Sequence, residues 1–125
     1  MEHLMKHIED ICNDNGIIMK RHNGKCSRAF RNYRGTGKQK ISVKRINSYL
    51  TYAVAMHELG HLLGPHQHSH DVLEREAGAW MWAMTNCKVW MPCMKSGMIR
   101  RLRSYLNVKG EPDAEHIIWQ LVPRS

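Results

Sequence analysis

Two histidines and a glutamate stand at metal-site spacing in the middle of the chain. The run from Ala53 to Gly64 reads AVAMHELGHLLG and contains His57, Glu58 and His61 as a His-Glu-x-x-His motif. On an α-helix His57 and His61 lie four residues apart, so both imidazoles share one face. Their nitrogens can then bind one Zn²⁺ at roughly 2.0–2.1 Å.

Glu58 has a different position on the same helix. It is offset from His57 by about 100°, so it is placed to contact a water molecule on the ion rather than the ion itself. The alternative is an amphipathic core helix that carries two histidines by coincidence. Because buried polar groups cost free energy unless they are paired, the pattern favours a metal site with Glu58 as catalytic base.

The charge of the chain is positive and unevenly distributed. The formal net charge is +8 over 125 residues, a length that predicts a single domain over residues 1–125. Between Asp14 and Glu58 there is no acidic residue, and the basic residues there are Lys20, Arg21, Lys25, Arg28, Arg31, Arg34, Lys38, Lys40, Lys44 and Arg45. Residues 20–45 can therefore attract nucleic acid or an acidic protein, or form a solvated basic face.

The composition also predicts the compartment. No apolar run approaches the 18–20 residues of a membrane span, and the N-terminus lacks the apolar core of a signal peptide. The four cysteines, Cys12, Cys26, Cys87 and Cys93, lack C-x₂-C spacing. These features predict a cytoplasmic protein with reduced cysteines and no membrane partner.

The residues before the motif predict a helix and a small sheet. Apolar residues repeat at helical spacing from Glu2 to about Asn13. Three strands follow, from Ile17, from Cys26 to Tyr33 and from Lys38 to Ile46, with a tight turn at Asn23-Gly24. The predicted architecture is α+β, with a small three-stranded antiparallel sheet packed against the motif helix.

Helices dominate the rest of the chain. Ser48 or Thr51 can cap the motif helix, which should end at Gly64-Pro65. A second helix begins near Asp71. A basic helix capped by Ser96 spans Met98 to Leu106, and a short last helix runs from Pro112 to about Leu121. The apolar stripe expected on the second helix consists of Leu73, Ala77, Trp80 and Met84.

A catalytic zinc site needs a third protein ligand from beyond the motif helix. One source is the histidine-rich link of residues 66–70, as in the metzincin pattern, where a histidine stands three residues after the glycine. Here Gln67 occupies that position, and His66 and His68 each miss it by one residue.

The other source is a glutamate on the following helix. Glu74 and Glu76 lie about 200° apart around that helix, so only one of them can face the metal. Ala77 and Trp80 share the side of Glu74, which favours Glu74. Glu74 can instead form a capping box with Asp71.

Three segments resemble the ImmA/IrrE family of small metallopeptidases. They are Ala55–His61, Leu73–Trp80 and Val89–Pro92, the last similar to a Leu-Met-Pro run. The resemblance covers most of residues 1–95 and implies a zincin-like fold, one Zn²⁺, and Glu74 as the third ligand. Gly78 departs from the usual Asn or Asp, so a hydrogen bond to a ligand is either absent or supplied by another residue.

The resemblance also implies a function. The chain is expected to be a zinc endopeptidase that hydrolyses a peptide bond in a cytoplasmic protein, such as a regulator or repressor of a phage or mobile element. The alternative is a non-proteolytic zinc protein that binds DNA or an acidic protein through its basic N-terminal half.

Two further features of a peptidase have candidates in the sequence. The oxyanion donor is one of His66, His68, His70 and Tyr105, with no reason in the sequence to prefer one. The strand from Lys38 to Ile46 can pair its edge with an extended substrate.

Overall fold

The structure is a computed structural model that describes residues 1–124, and it is α+β, as predicted. It consists of four helices and a small sheet of three strands. The elements in chain order are α1 (Glu2–Asp14), β1 (Ile18–His22), β2 (Arg28–Phe30), β3 (Lys40–Lys44), α2 (Tyr49–Leu63), α3 (Val72–Asn86) and α4 (Pro92–Lys109). Short 3₁₀ turns span Tyr33–Gly35 and Ile117–Gln120.

The sheet is mixed, which corrects the antiparallel prediction. Its strand order is β1-β3-β2, with β1 parallel and β2 antiparallel to β3. Asn23-Gly24 therefore does not join two neighbouring strands. β3 carries Ile41 and Val43, which are fully buried, whereas β1 and β2 each expose part of their residues. The strand with the most buried apolar side chains thus lies in the centre.

Helix α2, which carries the motif, begins and ends where the sequence predicts. Both proposed caps act together: Ser48 Oγ accepts from Thr51 N, and Thr51 Oγ1 accepts from Ser48 N. The helix ends at Gly64, whose N–H bonds to the carbonyl oxygen of Gly60. Two reciprocal bonds at the first turn fix where the motif lies along the helix.

Of the three later helices that the sequence predicts, the first begins where expected and the other two differ. Asp71 caps α3 as expected, with its carboxylate accepting from Leu73 N. α4 starts at Pro92 rather than near Ser96, because proline suits the first helical position, where its missing N–H costs nothing. The predicted last helix is reduced to the single turn Ile117–Gln120, which buries Ile118.

The core is continuous from one end of the described chain to the other. Its apolar cluster extends from Leu4 to Val122 and includes Tyr52, Met56 and Trp80, all fully buried. Tyr52 lies on α2, and its hydroxyl bonds to His7 Nδ1 and to Lys88 N. Helix α2 is therefore held on several sides. Within residues 1–124, no helix has both the length and the apolarity that crossing a membrane requires.

Candidate metal centre

The two motif histidines lie side by side on α2, as their spacing predicts. Their ring centroids are 4.5 Å apart. His57 is buried, and His61 is partly exposed. The indole of Trp80, on α3, stacks on the His57 ring with centroids 4.4 Å apart and an angle of 19° between the planes. This stacking fixes the orientation of the His57 ring.

Glu76 of α3 is the carboxylate that meets these imidazoles. Its Oε1 lies 3.0 Å from His57 Nε2, and its Oε2 lies 2.7 Å from His61 Nε2. One nitrogen from each histidine and one carboxylate oxygen lie within 4.8 Å of one another, an arrangement that could hold a metal ion. Ligand atoms bonded to one tetrahedral zinc at about 2.0–2.1 Å are roughly 3.3 Å apart. These two distances between carboxylate oxygen and imidazole nitrogen would therefore have to lengthen slightly for an ion to enter.

The structure does not bring Glu74, the expected third ligand, to these histidines. Glu74 Oε1 instead lies 3.1 Å from His66 Nδ1, and about a third of its side chain is exposed. Glu76 rather than Glu74 shares a helix face with Trp80, four residues further on, and Trp80 is fixed against His57. This four-residue spacing is the sequence signal that favours Glu76.

Gln67 was not predicted as a site residue, and it orients His61. Its Oε1 lies 2.9 Å from His61 Nδ1, while its Nε2 donates to the carbonyl oxygens of Pro65 and Arg75. Since the amide nitrogen is committed to two acceptors, its oxygen faces His61 and accepts the Nδ1 proton. Nε2 of His61 is then directed at Glu76, an orienting contact typical of metal-binding histidines.

Gln67 stands where the metzincin pattern has a third histidine, and its neighbours do not replace it. His66 lies beside Glu74, and His68 is exposed. Neither belongs to the group of side chains that could hold an ion around His57. The geometry therefore supports a ligand from α3 rather than from the link.

Glycines allow α2 and α3 to approach closely enough for this contact. A Cβ built on Gly60 would lie 2.3 Å from the carbonyl oxygen of Ala79, and one on Gly78 would lie 2.2 Å from that of Pro65. Atoms cannot approach so closely, so a side chain at either position would separate the backbones. Gly78, which departs from the family's Asn or Asp, thus has a packing reason.

The charges at the centre are strongly coupled. Burial raises the pKa of Glu76, but hydrogen bonds and charge from His57 and His61 outweigh burial and lower that pKa to about 2. Burial likewise opposes protonation of His61, yet contact with Glu76 raises its pKa overall. Burial raises the pKa of Glu58, against the opposing effect of the two histidines. The two carboxyl groups thus differ: Glu76 keeps its negative charge, whereas Glu58 accepts a proton more easily because its pKa is raised.

A cleft of about 550 Å³ opens onto this group of side chains. His57, Glu58 and Glu76 line it together with Tyr105 of α4. Glu58 Oε1 is 3.7 Å from His57 Nδ1, and its side chain is about one-fifth exposed. Of the four residues considered as oxyanion donors, Tyr105 lines the cleft, whereas His66, His68 and His70 do not.

Most of the basic residues of segment 20–45 are exposed, and some of them contact other groups of the protein. The Lys40 ammonium is buried 4.0 Å from the centroid of the Tyr33 ring, and Arg21 pairs with Glu9. Arg31 donates to the carbonyl oxygen of His61 near the end of α2. Of these three cations only Arg21 has an acidic partner, whereas Lys40 and Arg31 keep their full charge and are positioned by neutral groups.

No protein-family model matches the chain, and neither a curated protein nor a solved structure matches it. The resemblance to ImmA/IrrE proteins therefore stays a prediction. The centre itself joins two imidazoles and one carboxylate beside an open cleft, a donor set that suits a divalent metal ion such as zinc.

Proposed function

We propose that this protein is a zinc-dependent endopeptidase in which His57, His61 and Glu76 hold one Zn²⁺ and Glu58 is the general base. The observation that carries the proposal is the meeting of these three ligand groups beside a cleft that His57, Glu76 and Glu58 line. Structural zinc sites are closed by four protein ligands, whereas catalytic sites have three and an open side. Within residues 1–124, the group consists of three donors.

The chain's own carboxyl groups have distinct roles in this proposal. Zinc at these ligands would supply Lewis acidity, which promotes deprotonation of water and polarises the scissile carbonyl. Contact with His57 and His61 lowers the pKa of Glu76 to about 2, so its carboxyl group is already ionised before an ion binds. Glu58 takes the proton from the attacking water and returns it to the leaving amine, and its raised pKa makes that transfer easier.

Tyr105 is proposed as the donor that stabilises the oxyanion. Burial raises the pKa of its hydroxyl, and the nearby charges of Glu76 and Glu58 raise it further, so the group keeps its proton. A protonated hydroxyl at the cleft can donate to the oxygen that becomes negative during attack. We expect Tyr105→Phe to lower kcat about 100-fold or more with little change in KM, since the bond forms mainly in the transition state.

The edge strand beside the cleft is β2, not the strand from Lys38 to Ile46. β3 pairs with β1 on one side and with β2 on the other, so its central residues have no free edge. Arg28 of β2 lines the cleft. An extended substrate would therefore align with the outer edge of β2.

The first test is Glu58→Gln, which keeps the size of the side chain and removes its basicity. We expect zinc content, measured by native mass spectrometry, to remain near one ion per chain. Cleavage of a fluorogenic peptide library should fall to background. Cleavage by the variant at the wild-type rate would remove Glu58 from its role.

A second test separates the two candidate ligands on α3. Glu76→Gln should lose zinc, because a neutral amide is a poor ligand between two imidazoles. Glu74→Gln is the matched control, because the same change is made on the exposed part of the same helix, and it should keep both zinc and activity. Retention of zinc by Glu76→Gln together with its loss from Glu74→Gln would restore Glu74 as the third ligand.

The zinc-loaded wild type and the peptide library also distinguish the peptidase from the alternative, a zinc protein that binds a partner without cleaving it. Zinc-loaded wild type that cleaves no member of a broad peptide library, yet binds DNA in a salt-sensitive way, would support that alternative. Cleavage that stops when a chelator is added and returns with zinc would support the peptidase.

A further inference from the structure

The walls of the cleft carry basic side chains from two elements. Arg28 of β2 lines it on one side, and Arg100 and Arg101 of α4 line it on the other. All three arginines are exposed. Any peptide that reaches Glu58 must therefore pass close to cationic groups.

The positive surface continues beyond this cleft. A second cavity of about 170 Å³ shares Cys26, Ser27, Val54 and Arg101 with the cleft, so the two are adjacent. The second cavity adds Lys25 and Lys44. One connected surface thus extends from the metal centre to the start of α2.

The charges along this surface are unbalanced. Its basic residues are Lys25, Arg28, Lys44, Arg100 and Arg101, whereas the carboxylates that line it among residues 1–124 are Glu58 and Glu76. Both carboxylates face the imidazoles and belong to the proposed catalytic centre. Among the described residues, none of the five basic side chains has an acidic group within ion-pair distance. Their charge is therefore available to a ligand.

We infer that this cleft takes acidic peptide segments, with Asp or Glu side chains placed within a few residues of the bond that is cut. The inference rests on the proposed peptidase function and names its substrate class. Arginine presents a planar fork of donors that matches a carboxylate, and a positive cleft raises the local concentration of anionic substrates.

A peptide fits this surface better than a nucleic acid. Single-stranded nucleic acids bind grooves that offer aromatic faces for base stacking. Two aromatic side chains line the cleft: Trp80 is fully buried and stacked on His57, so Tyr105 alone is exposed there and successive bases have no row of faces to stack on. The proposed chemistry also needs a peptide carbonyl beside Glu58, which a nucleic acid does not offer.

Two dodecapeptide pools test the substrate class on the zinc-loaded full chain. One carries Asp or Glu at two fixed positions among randomised neutral residues, and the matched pool carries Asn or Gln at those positions. We expect kcat/KM to be about tenfold higher for the acidic pool, the sum expected from two partly exposed ion pairs. Added salt should shrink this ratio. Equal rates for the two pools would overturn the inference and leave the peptidase proposal intact.

Variants of the cleft arginines test whether these residues cause the preference for the acidic pool. The double variant Arg28→Gln/Arg101→Gln should bring the ratio to within about twofold of unity, because both ion pairs are lost. Lys95→Gln is the matched control, since Lys95 lies on α4, is exposed and lines neither cavity. It should keep the wild-type ratio. An unchanged ratio in the double variant would overturn the assignment.

A binding measurement keeps the inference testable if no cleavage occurs. Fluorescence anisotropy with zinc-loaded Glu58→Gln should show tighter binding of a labelled acidic peptide than of its amide counterpart, and the double arginine change should remove the difference. That result without any cleavage by wild type would uphold the acidic cleft and contradict the peptidase. Tighter binding of a single-stranded oligonucleotide, with the same dependence on Arg28 and Arg101, would contradict the acidic-peptide inference.

Discussion

Gly60 faces the carbonyl oxygen of Ala79 so closely that a Cβ on Gly60 would lie 2.3 Å from it. This contact joins the motif helix to α3 between His57 and His61 on one side and Glu76 on the other. The obstructing atoms belong to the backbone, and they cannot move without shifting α3. The distance between the two histidines and Glu76 therefore depends on a residue that binds nothing itself.

We expect Gly60→Ala to weaken both the fold and the metal centre. Alanine favours a helix over glycine by about 1 kcal/mol, but the clash with Ala79 should outweigh this gain. The free energy of unfolding should fall by about 1–3 kcal/mol in urea denaturation. Zinc affinity, measured by competition with a chelating dye, should fall about tenfold or more as Glu76 moves away.

Gly97→Ala is the control for this prediction. A Cβ on Gly97 would meet Leu50 Cδ1 at 2.3 Å, which is the far end of a flexible side chain. Leu50 can change its rotamer, so we expect a smaller loss of stability and unchanged zinc affinity. Equal zinc affinity in Gly60→Ala and wild type would contradict the role given to the Gly60–Ala79 contact.

Gln67→Ala should lower zinc affinity without removing a ligand. The change deletes the acceptor at His61 Nδ1 and leaves the carbonyl oxygens of Pro65 and Arg75 without their donor. Orienting contacts of this kind are worth about 10–100-fold in metal affinity. His68→Ala should change nothing measurable, because His68 is exposed; loss of zinc from it would instead favour a histidine ligand from the link.

The four cysteines should separate into two classes toward a thiol reagent. Cys26 and Cys93 are exposed and should react quickly with dithionitrobenzoate at pH 8. Burial raises the pKa of Cys12 to about 11 and that of Cys87 to about 12, so few thiolates form and both should react slowly. Mass spectrometry after brief labelling should find two modified cysteines, and four after unfolding. Rapid labelling of Cys12 would contradict its buried position.

Asp71→Ala should destabilise the protein at neutral pH and less so in acid. Partial burial raises the pKa of Asp71, but bonds from His116 and Leu73 N outweigh it, so its folded pKa is lowered. A carboxyl with a lowered folded pKa stabilises the fold above its ordinary value near 3.8, and this stability is lost as pH falls through the folded value.

The cap at α3 is expected to contribute about 1 kcal/mol at pH 7. Urea denaturation of Asp71→Ala and wild type at pH 7 and below pH 4 should show the difference shrinking in acid. Glu74 also lies near His116, so Glu74→Ala is the control for a general loss of negative charge. A difference that grows as the pH falls would contradict the assignment to Asp71.

Local signals in the sequence were enough to place much of the site. The spacing of His57 and His61, the capping pair Ser48 and Thr51, and the stop at Gly64 all depend on neighbours within a few residues. The structure reproduces each of them. Local chemistry fixes such features because the interactions close within one or two helical turns.

The choice between Glu74 and Glu76 as the carboxylate that meets the two histidines depended on a relationship that is not local. Glu74 and Glu76 differ in which face of α3 they occupy, and the rotation of α3 against α2 is set by backbone contacts at Gly60 and Gly78. Ala77 and Trp80 were predicted to lie on the same helix face as Glu74. In the structure Trp80 shares the face of Glu76 and stacks on His57. Helix periodicity alone defines faces but not which face meets the partner helix.

The sheet was also beyond local reasoning. Strand lengths and turn residues predicted three strands. The turn residues Asn23-Gly24 could not reveal that β1 pairs with β3, although β2 lies between them in the sequence. Similarly, the sequence predicted Ser96 as the cap of the basic helix, whereas Pro92 is the first residue of α4. Both outcomes depend on what the rest of the chain buries.

The parallel pairing of β1 with β3 has a consequence for how the molecule assembles. Parallel strands cannot be joined by a short hairpin, so Ile18 meets Lys40 only after the chain between them has been arranged. Ordering that chain costs conformational entropy before the strand pairing can contribute any stabilising free energy. By contrast, α2 and α3 are joined by a short link. We therefore expect pulse-labelling hydrogen exchange during refolding to show protection in α2 and α3 before protection in β1. His57, His61 and Glu76 would then come together before the N-terminal strand joins the sheet.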